Sequence, residues 1–230
     1  MDGYLLVDKP AGISSFRVVS IVRKLLTEQV GHKVKVGHTG TLDPMATGLL
    51  ILVIGGYTKR SSEFSKLDKT YQAELTLGAI SSTGDREGEL GRKSEHRPSG
   101  AEVKTVLNKF LGQIWQTPQA FSAIKVGGQR AYKLARAGKQ VVIKPRQVTI
   151  YKIKDVDYKY PKVSFSTSVS SGTYIRSLAE DIGAELGTGA YLSDLRRVSV
   201  GDFHIFGAQT LAELETARAP KINQALPNHP

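Results

Sequence analysis

The chain has 230 residues, of which 40% are hydrophobic and 23% charged, a composition typical of a soluble globular protein. It contains no cysteine, which excludes disulfides, thiolate metal sites and cysteine nucleophiles. Lysine and arginine outnumber aspartate and glutamate by 32 to 21, and the formal charge of +11 favours a polyanionic partner, nucleic acid before a membrane surface.

The N-terminal part of the chain predicts alternating strands and helices. A short apolar run at residues 4–7 indicates a strand, and a helix follows that Ser14 or Ser15 caps and whose apolar residues recur at helical spacing. The next predicted elements are a buried strand at residues 49–54, one short helix at residues 58–67 and a half-buried strand at residues 71–77.

The rest of the chain predicts more strands than helices. Residues 81–98 are polar, charged and glycine-containing, so we interpret them as an exposed excursion between elements. The elements predicted after it are a helix at 101–111, two strands at 148–155 and 162–169 joined by a turn, a helix from Tyr174 to about Leu186, a strand at 198–206, a helix at 211–217 and a loosely held tail at 219–230.

These elements together indicate the fold class. Strands outnumber helices, and several neighbouring strands have the spacing of antiparallel hairpins. We therefore predict an α+β fold with a mixed, largely antiparallel central sheet flanked by helices, rather than a doubly wound parallel sheet.

The loop GHTGTLDPMATG, at residues 37–48, contains more polar and breaker residues than a simple turn needs. Asp43 precedes a proline, where a carboxylate commonly closes a turn, and a catalytic role is the alternative. His38 and Asp43 together allow a metal pair, but the nearby sequence offers no third ligand at suitable spacing. A phosphate cradle is not supported, since neither a P-loop nor a GxGxxG pattern is present.

Two further residues stand out beside this loop. Arg176, in SSGTYIRSLAEDIG, is predicted to lie in the first turn of a helix, where the helix dipole disfavours a cation. An anionic partner such as Asp43 would explain it, and a solvent-exposed arginine is the alternative. Tyr71 falls on the inward face of its strand, where it is either a core residue or a functional one.

A basic segment with interleaved aromatic residues follows in the sequence TPQAFSAIKVGGQRAYKLARAGK. Its cations Lys125, Arg130 and Arg136 surround Phe121 and Tyr132. This pattern on an exposed element is typical of RNA binding, in which cations contact phosphates and aromatic rings stack on bases.

Six motifs of the chain resemble the TruB family of tRNA pseudouridine synthases: LLVDKPAGISS, GHTGTLDPMATGLL, DKTYQAELTLG, TPQAFSAIKVGGQRAYKLARAG, SSGTYIRSLAEDIG and YLSDLRRVSVGDF. They occur in the family's order and cover residues 4–206. The resemblance implies the pseudouridine synthase catalytic fold. It also implies isomerisation of uridine to pseudouridine at position 55 in the T loop of tRNA, without metal or cofactor.

The resemblance further implies roles for particular residues. Asp43 would be the catalytic residue, Arg176 would hold it ionised, and Tyr71 would stack on the uracil. His38 would fill the space that the flipped-out base leaves. The remaining implied roles are a loop-shaping Lys9, a Tyr174 that lines the cleft, a Leu195 that lines the uracil pocket, and RNA contacts from Lys59 and Lys125.

The resemblance also implies a domain organisation. Residues 1–206 would form the catalytic domain, including an RNA-gripping thumb near residues 119–146, and residues 207–230 would form a short tail without the PUA domain that many relatives carry. The chain departs from the family pattern at Phe121, where a tyrosine is expected, and in TEQVGHKVKV, which is longer than in many relatives.

We therefore predict a monomeric, cytoplasmic enzyme that acts on tRNA, with no membrane partner. Its longest apolar run, residues 49–54, is too short to cross a bilayer, and the opening MDGYLLVDKP does not have the pattern of a signal peptide. Two alternatives are a non-catalytic tRNA-binding or folding protein on the same fold, and a metal-dependent hydrolase that uses His38 and Asp43.

Overall fold

The computed structural model describes residues 1–119, 121–122, 124–139, 141–217 and 220–224. It divides into two compact units. Unit 1 consists of Met1–Tyr71 with Arg196–Pro230, and unit 2 of Gln72–Leu195.

The described residues form fourteen strands, six α-helices and two short 3-10 helices. The strands are β1 (Gly3–Lys9), β2 (Val36–His38), β3 (Thr47–Ile54), β4 (Lys69–Leu77), β5 (Ala79–Ser81), β6 (Leu90–Arg92), β7 (Gly112–Gln116), β8 (Lys125–Val126), β9 (Gln129–Arg130), β10 (Arg146–Lys159), β11 (Lys162–Val169), β12 (Ala190–Val200), β13 (Phe203–His204) and β14 (Gln209–Thr210). The α-helices are α1 (Ser15–Val30), α2 (Ser61–Ser65), α3 (Gly100–Lys109), α4 (Ala131–Arg136), α5 (Ile175–Glu185) and α6 (Leu211–Ala217), and the 3-10 helices are Gly55–Arg60 and Ile205–Gly207.

Unit 1 is built on the antiparallel pair of β1 and β3, whose register runs from Gly3 opposite Ile54 to Lys9 opposite Gly48. Strand β3 is an almost continuous apolar run and is buried along nearly its whole length, as expected for a strand that is covered on both faces. Its odd-numbered residues join an aromatic and aliphatic core cluster: Tyr4, Leu6, Leu49, Ile51, Val53, Phe64, Val200 and Phe203.

Helix α1 begins and ends where its sequence predicts. The Ser14 side chain accepts a hydrogen bond from the Arg17 backbone N–H at 3.2 Å, which satisfies one of the free donors of the first turn. Gly31 ends the helix with φ of 74°, a left-handed conformation that favours glycine, and its N–H donates to the Thr27 carbonyl.

Unit 2 contains neighbouring strands in the order β12, β4, β11, β10 and β7. Only residues 190–195 of β12 and 72–77 of β4 belong to this unit. Strands β10 and β11 form a long antiparallel hairpin. Within β4, Ala73, Leu75 and Leu77 are buried, whereas Gln72 is exposed, so the alternation in the sequence is the alternation of its two faces.

The predicted α+β class with a mixed, largely antiparallel sheet is confirmed. Strand β1 pairs in parallel with β14, and β3 pairs in parallel with β12. The pairs β1–β3, β2–β3, β7–β10, β10–β11 and β12–β13 are antiparallel. None of the helices in the described ranges combines the length and the apolar character that a membrane span requires.

Two predictions of local structure were wrong, and strand β7 was not predicted. The single helix expected at residues 58–67 is a 3-10 helix followed by the short α2. The strand expected at residues 198–206 is a hairpin of β12 and β13, because the chain turns at Gly201, where φ is 51°.

The excursion predicted at residues 81–98 is exposed only in part. It overlaps the hairpin of β5 and β6, and Asp85 inside it is 3% exposed. The tail is also more ordered than predicted, because Asn223 and Tyr4 exchange two backbone hydrogen bonds of 2.9 Å. The end of that tail, residues 225–230, lies outside the described residues.

Candidate active site

Asp43 lies in the loop between β2 and β3, and its side chain is half-buried. Ser15, at the start of α1, fixes the backbone of Leu42, the residue before Asp43. The backbone N–H of Leu42 donates to Ser15 Oγ at 2.8 Å, and Ser15 Oγ donates to the Leu42 carbonyl at 2.9 Å. The carbonyl of Asp43 accepts from the Ala46 N–H at 3.1 Å, so its backbone does close a turn, as predicted for an Asp-Pro pair.

The residue after Asp43 is fixed from the loop that follows β1. The carbonyl of Pro44 accepts from the Gly12 N–H at 2.9 Å and from Lys9 Nζ at 3.2 Å. Lys9 is fully buried, and its Nζ also donates to the carbonyls of Pro10 and Ile13, each at 2.8 Å. The ammonium group of Lys9 thus donates to three backbone carbonyls. The geometry of Lys9 is thus that of a residue that shapes the loop.

Arg197 on β12 also contacts this loop. This residue was not predicted from the sequence. Its guanidinium is buried and donates to the backbone carbonyls of Gly40 and Leu49. The sequence signal that could have indicated it is the period of two along β12, which places Arg197 on the same face as the buried Leu195.

Tyr71 lies on β4 in unit 1, is 7% exposed and is preceded by the buried Lys69. The Nζ of Lys69 donates to the carbonyls of Ser65, at 2.7 Å, and Leu67. Burial, together with the positive charge of Arg197, lowers the pKa of Lys69 to about 8. The start of β4 is therefore a buried, positively charged region of unit 1.

The two remaining predicted residues of unit 1 are His38 and Lys59. His38 ends β2, opposite Leu52, and its side chain is half-buried. Lys59 is exposed on the 3-10 helix that follows β3, a position from which a lysine can contact a phosphate. Unit 1 thus contains five predicted residues: Lys9, His38, Asp43, Lys59 and Tyr71.

In unit 2, Arg176 lies in the first turn of α5 and is 5% exposed. Its Nη1 lies 3.6 Å from Asp85 Oδ2 and donates to the Thr83 carbonyl at 2.9 Å, while Nη2 donates to the Phe121 carbonyl at 2.9 Å. Asp85, within the same unit, is thus one anionic partner of Arg176, and it was not predicted. The pairing of Arg176 with Asp43 stays a prediction, because the two residues belong to different units.

Asp85 was missed because the surrounding sequence is polar and predicts exposure. Its Oδ1 accepts from Thr83 Oγ1 at 2.6 Å and from the Glu87 N–H at 3.0 Å, so the carboxylate is held in a tight turn. A backbone bridge between Asp85 and Leu192 covers this turn. Burial of the carboxylate thus depends on a contact with a distant part of the chain.

Tyr174 immediately precedes α5, and Gln116 at the end of β7 fixes its backbone. The Tyr174 N–H donates to Gln116 Oε1 at 2.7 Å, and Gln116 Nε2 donates to the Tyr174 carbonyl at 3.0 Å. The guanidinium of Arg146 lies 4.9 Å from the centre of the Tyr174 ring, within the range of a cation–π contact. The half-buried ring is therefore fixed in orientation.

The predicted thumb, residues 119–146, contains the short hairpin of β8 and β9 and the helix α4. Lys125 lies on β8, opposite Arg130 on β9, and the turn between them is Gly127-Gly128. The side chains of Lys125, Tyr132 and Arg136 lie outside the described residues. The fourth predicted residue of unit 2, Leu195, is 6% exposed on β12.

One half-buried carboxylate of α5, that of Asp181, gives a stability prediction. Burial and the charge of Glu180 raise the pKa of Asp181 to about 6. The stability that protonation of Asp181 contributes is present below its ordinary pKa of 3.8 and is lost as the pH rises through about 6. At pH 7.5 we expect Asp181→Asn to raise the free energy of unfolding by about 1 kcal/mol, a value reduced for solvent screening.

Urea unfolding at pH 7.5 and at pH 5 checks this expectation, and the gain should be smaller at pH 5. The exposed Asp157 on β10 offers a matched control, since Asp157→Asn should change the free energy of unfolding by less than about 0.5 kcal/mol. An equal gain for Asp181→Asn at both pH values would contradict the raised pKa.

Histidine, aspartate and glutamate side chains form no group of three or more that could hold a metal ion anywhere in the described ranges. A metal-dependent hydrolase that uses His38 and Asp43 needs at least one further ligand. This alternative therefore lacks a ligand set in the part of the chain that the structure describes.

Comparison with known proteins gives two family matches. Residues 23–175 match the TruB family pseudouridylate synthase N-terminal domain, and residues 176–226 match the tRNA pseudouridylate synthase B C-terminal domain. The chain is similar to tRNA pseudouridine synthase B of Aquifex aeolicus, with 42% identity over 96% of this chain and 76% of the relative. The enzyme of the same name from Cupriavidus taiwanensis is 48% identical over 93% of this chain and 67% of the relative.

Solved structures agree with these matches. A chain of a Cbf5–Nop10–Gar1 complex superimposes with a TM-score of 0.71 and 29% identity, covering 92% of this chain and 53% of that one. A chain of an H/ACA RNP bound to a substrate RNA containing 2′-deoxyuridine superimposes with a TM-score of 0.68 and 27% identity, covering 92% of this chain and 52% of that one. The resemblance indicated by the sequence motifs is thereby confirmed, and the chain belongs to the TruB family of pseudouridylate synthases.

Proposed function

We propose that this chain isomerises uridine 55 in the T loop of tRNA to pseudouridine, with Asp43 as the catalytic carboxylate. Relatives that are 42% and 48% identical and bear the name tRNA pseudouridine synthase B support the substrate class. The observation that carries the proposal is the fixation of the backbone on both sides of Asp43, by Ser15 at Leu42 and by Lys9 at Pro44. A reactive group held in this way loses little entropy when its substrate binds.

The reaction is an internal rearrangement that needs neither an oxidant nor an energy source. The bond between uracil N1 and ribose C1′ breaks, the base turns, and a bond forms between C5 and C1′. C5 then loses a proton and N1 gains one, so atoms and electrons balance. A carboxylate suits this reaction either as a nucleophile toward the sugar or the base, or as a base that removes a sugar proton to give a glycal.

Other residues complete the proposed site. The target base must leave the stack of the T loop, and His38 is proposed to occupy the space it leaves. Arg176 supplies the positive charge that keeps Asp43 ionised, Tyr71 stacks on the uracil, and Leu195 lines its pocket.

RNA binding is proposed to depend on cations and one aromatic ring. Exposed Lys59 and the thumb residue Lys125 contact phosphates, and Tyr174 offers a ring of fixed orientation. The formal charge of +11 supports a charge-driven association. The monomeric state and the cytoplasmic location stay predictions.

The proposal is tested with a tRNA transcript that carries tritium at uracil C5, incubated with the protein in the presence of a chelator. We expect one tritium per tRNA to be released, because substitution at C5 expels the C5 hydrogen. A transcript in which cytidine replaces uridine 55 is the matched control and should release none. Binding without release would favour the non-catalytic alternative, and release that stops with the chelator would favour a metal-dependent reaction.

A further inference from the structure

Arg197 joins the two ends of the segment that contains Asp43. The side chain is 2% exposed, its Nε donates to the Leu49 carbonyl at 2.7 Å, and its Nη2 donates to the Gly40 carbonyl at 2.9 Å. These two acceptors lie before and after Asp43 in the chain. Because a guanidinium is planar and its donors have a fixed geometry, one side chain sets the separation of the two carbonyls.

The backbone around Arg197 is closely packed against the same segment. Strands β12 and β3 pair in parallel with Arg197 opposite Gly48. Gly48 has φ of 102°, and an added Cβ there would overlap the backbone of Arg197. A Cβ at Gly40 would lie 3.4 Å from Arg197 Nη1. The segment is thus closely packed at its Gly48 end and in ordinary van der Waals contact with Arg197 at Gly40.

The guanidinium occupies a position that is unfavourable for a cation. It is buried, and its charge contributes to the lowered pKa of the neighbouring Lys69. A buried charge costs free energy unless its hydrogen bonds compensate for the lost water. A buried charged group contributes little to stability by itself. The two hydrogen bonds of Arg197 to the loop therefore indicate that it fixes the conformation of the loop.

We propose that Arg197 is a positioning residue that holds Asp43 in its reactive place by fixing the ends of the segment from Gly40 to Leu49. Arg197 acts through the backbone of the loop and does not itself take part in the bond changes. The inference rests on the proposed function, since it assigns to Asp43 the role of catalytic carboxylate.

The test compares Arg197→Lys and Arg197→Met with the wild-type protein in single-turnover tritium release. We expect the rate constant to fall about 100-fold in both, because a displacement of about 1 Å at the reacting group has an effect of this size. The dissociation constant for tRNA should change by less than about threefold, since the RNA-binding cations remain. Lysine keeps the positive charge of Arg197 but lacks the planar guanidinium with its fixed donors. This variant therefore distinguishes the effect of the hydrogen-bond geometry from the effect of the charge.

Arg196→Lys is the matched control on the adjacent residue. Arg196 makes a bidentate ion pair with Asp8, at 3.1 and 2.7 Å, and is partly exposed. Its replacement should leave the rate within about twofold of wild type, since partly exposed ion pairs contribute little to stability. An equal loss of rate in Arg196→Lys would overturn the specific role of Arg197.

Amide hydrogen exchange gives a second readout that does not depend on activity. In Arg197→Lys we expect faster exchange at residues 40–49 and unchanged exchange at β1. Wild-type exchange and a wild-type rate in this variant would overturn the proposal, and so would faster exchange across the whole of unit 1. If even the wild-type protein releases no tritium, the proposed function fails, while local loss of protection still shows that Arg197 fixes the loop.

Discussion

Asp43→Asn is expected to lower the rate constant of tritium release by about 10⁴-fold or more. Asparagine has nearly the same shape as aspartate, but its amide is neither a nucleophile nor a base at neutral pH. The loop should keep its structure, because the hydrogen bonds that fix it run through the backbone of Leu42, Asp43 and Pro44. The loss should therefore lie in the chemical step and not in folding.

Single-turnover tritium release and filter binding measure the two effects separately. Binding of tRNA by Asp43→Asn should stay within about threefold of wild type. The exposed Asp202, in the turn between β12 and β13, gives a control, since Asp202→Asn removes a carboxylate of unit 1 outside the proposed site. Release by Asp43→Asn at the wild-type rate would exclude Asp43 as the catalytic residue.

Arg176→Lys is expected to lower the rate constant about 10³-fold and the free energy of unfolding by about 2 kcal/mol. The guanidinium contacts the Asp85 carboxylate and two carbonyls, those of Thr83 and Phe121, along divergent directions. A lysine keeps the charge but cannot reach all three acceptors. Loss of one partner of a buried ion pair costs about 3–5 kcal/mol, and the retained charge reduces this cost.

Tritium release and urea unfolding measure these effects. Arg92→Lys is a suitable control in unit 2, because Arg92 forms an exposed ion pair with Glu95 in the loop that follows β6. If the rate loss reflects the contact with Asp85, Asp85→Asn should lower the rate as well, and the double variant should lose less than the product of the two single losses. Independent losses would indicate that the two side chains act separately.

Local patterns account for what could be predicted. Alternating residues define β4, a continuous apolar run defines β3, and the serine before α1 defines its start. The loop of Asp43 was recognised because its residues are too polar and too rich in glycine for a simple turn. These signals are contained in short windows of sequence and do not depend on distant contacts.

The residues that escaped prediction depend on contacts between distant parts of the chain. Asp85 lies in a polar stretch, and it is buried because Leu192 bridges its backbone and Arg176 pairs with its carboxylate. Arg196 and Arg197 are adjacent residues of the same type, yet Arg196 is partly exposed and Arg197 is buried against the loop of Asp43. The period of two along β12 places the two arginines on opposite faces, but the contact of Arg197 with the loop depends on the pairing of β12 with β3, which a short window of sequence does not specify.

The link between Gln116 and Tyr174 has a consequence for the order of events on the enzyme. The thumb leaves the sheet after β7 and returns at Arg146, and both of these places contact Tyr174. Ser177, in the first turn of α5, also donates to the carbonyl of Thr117 at 3.0 Å. A shift of the thumb on RNA would therefore be transmitted to the helix turn that carries Arg176. On the proposed function, in which the thumb contacts RNA and Arg176 contributes the charge beside Asp43, we expect RNA binding and a change in the position of Arg176 to occur together.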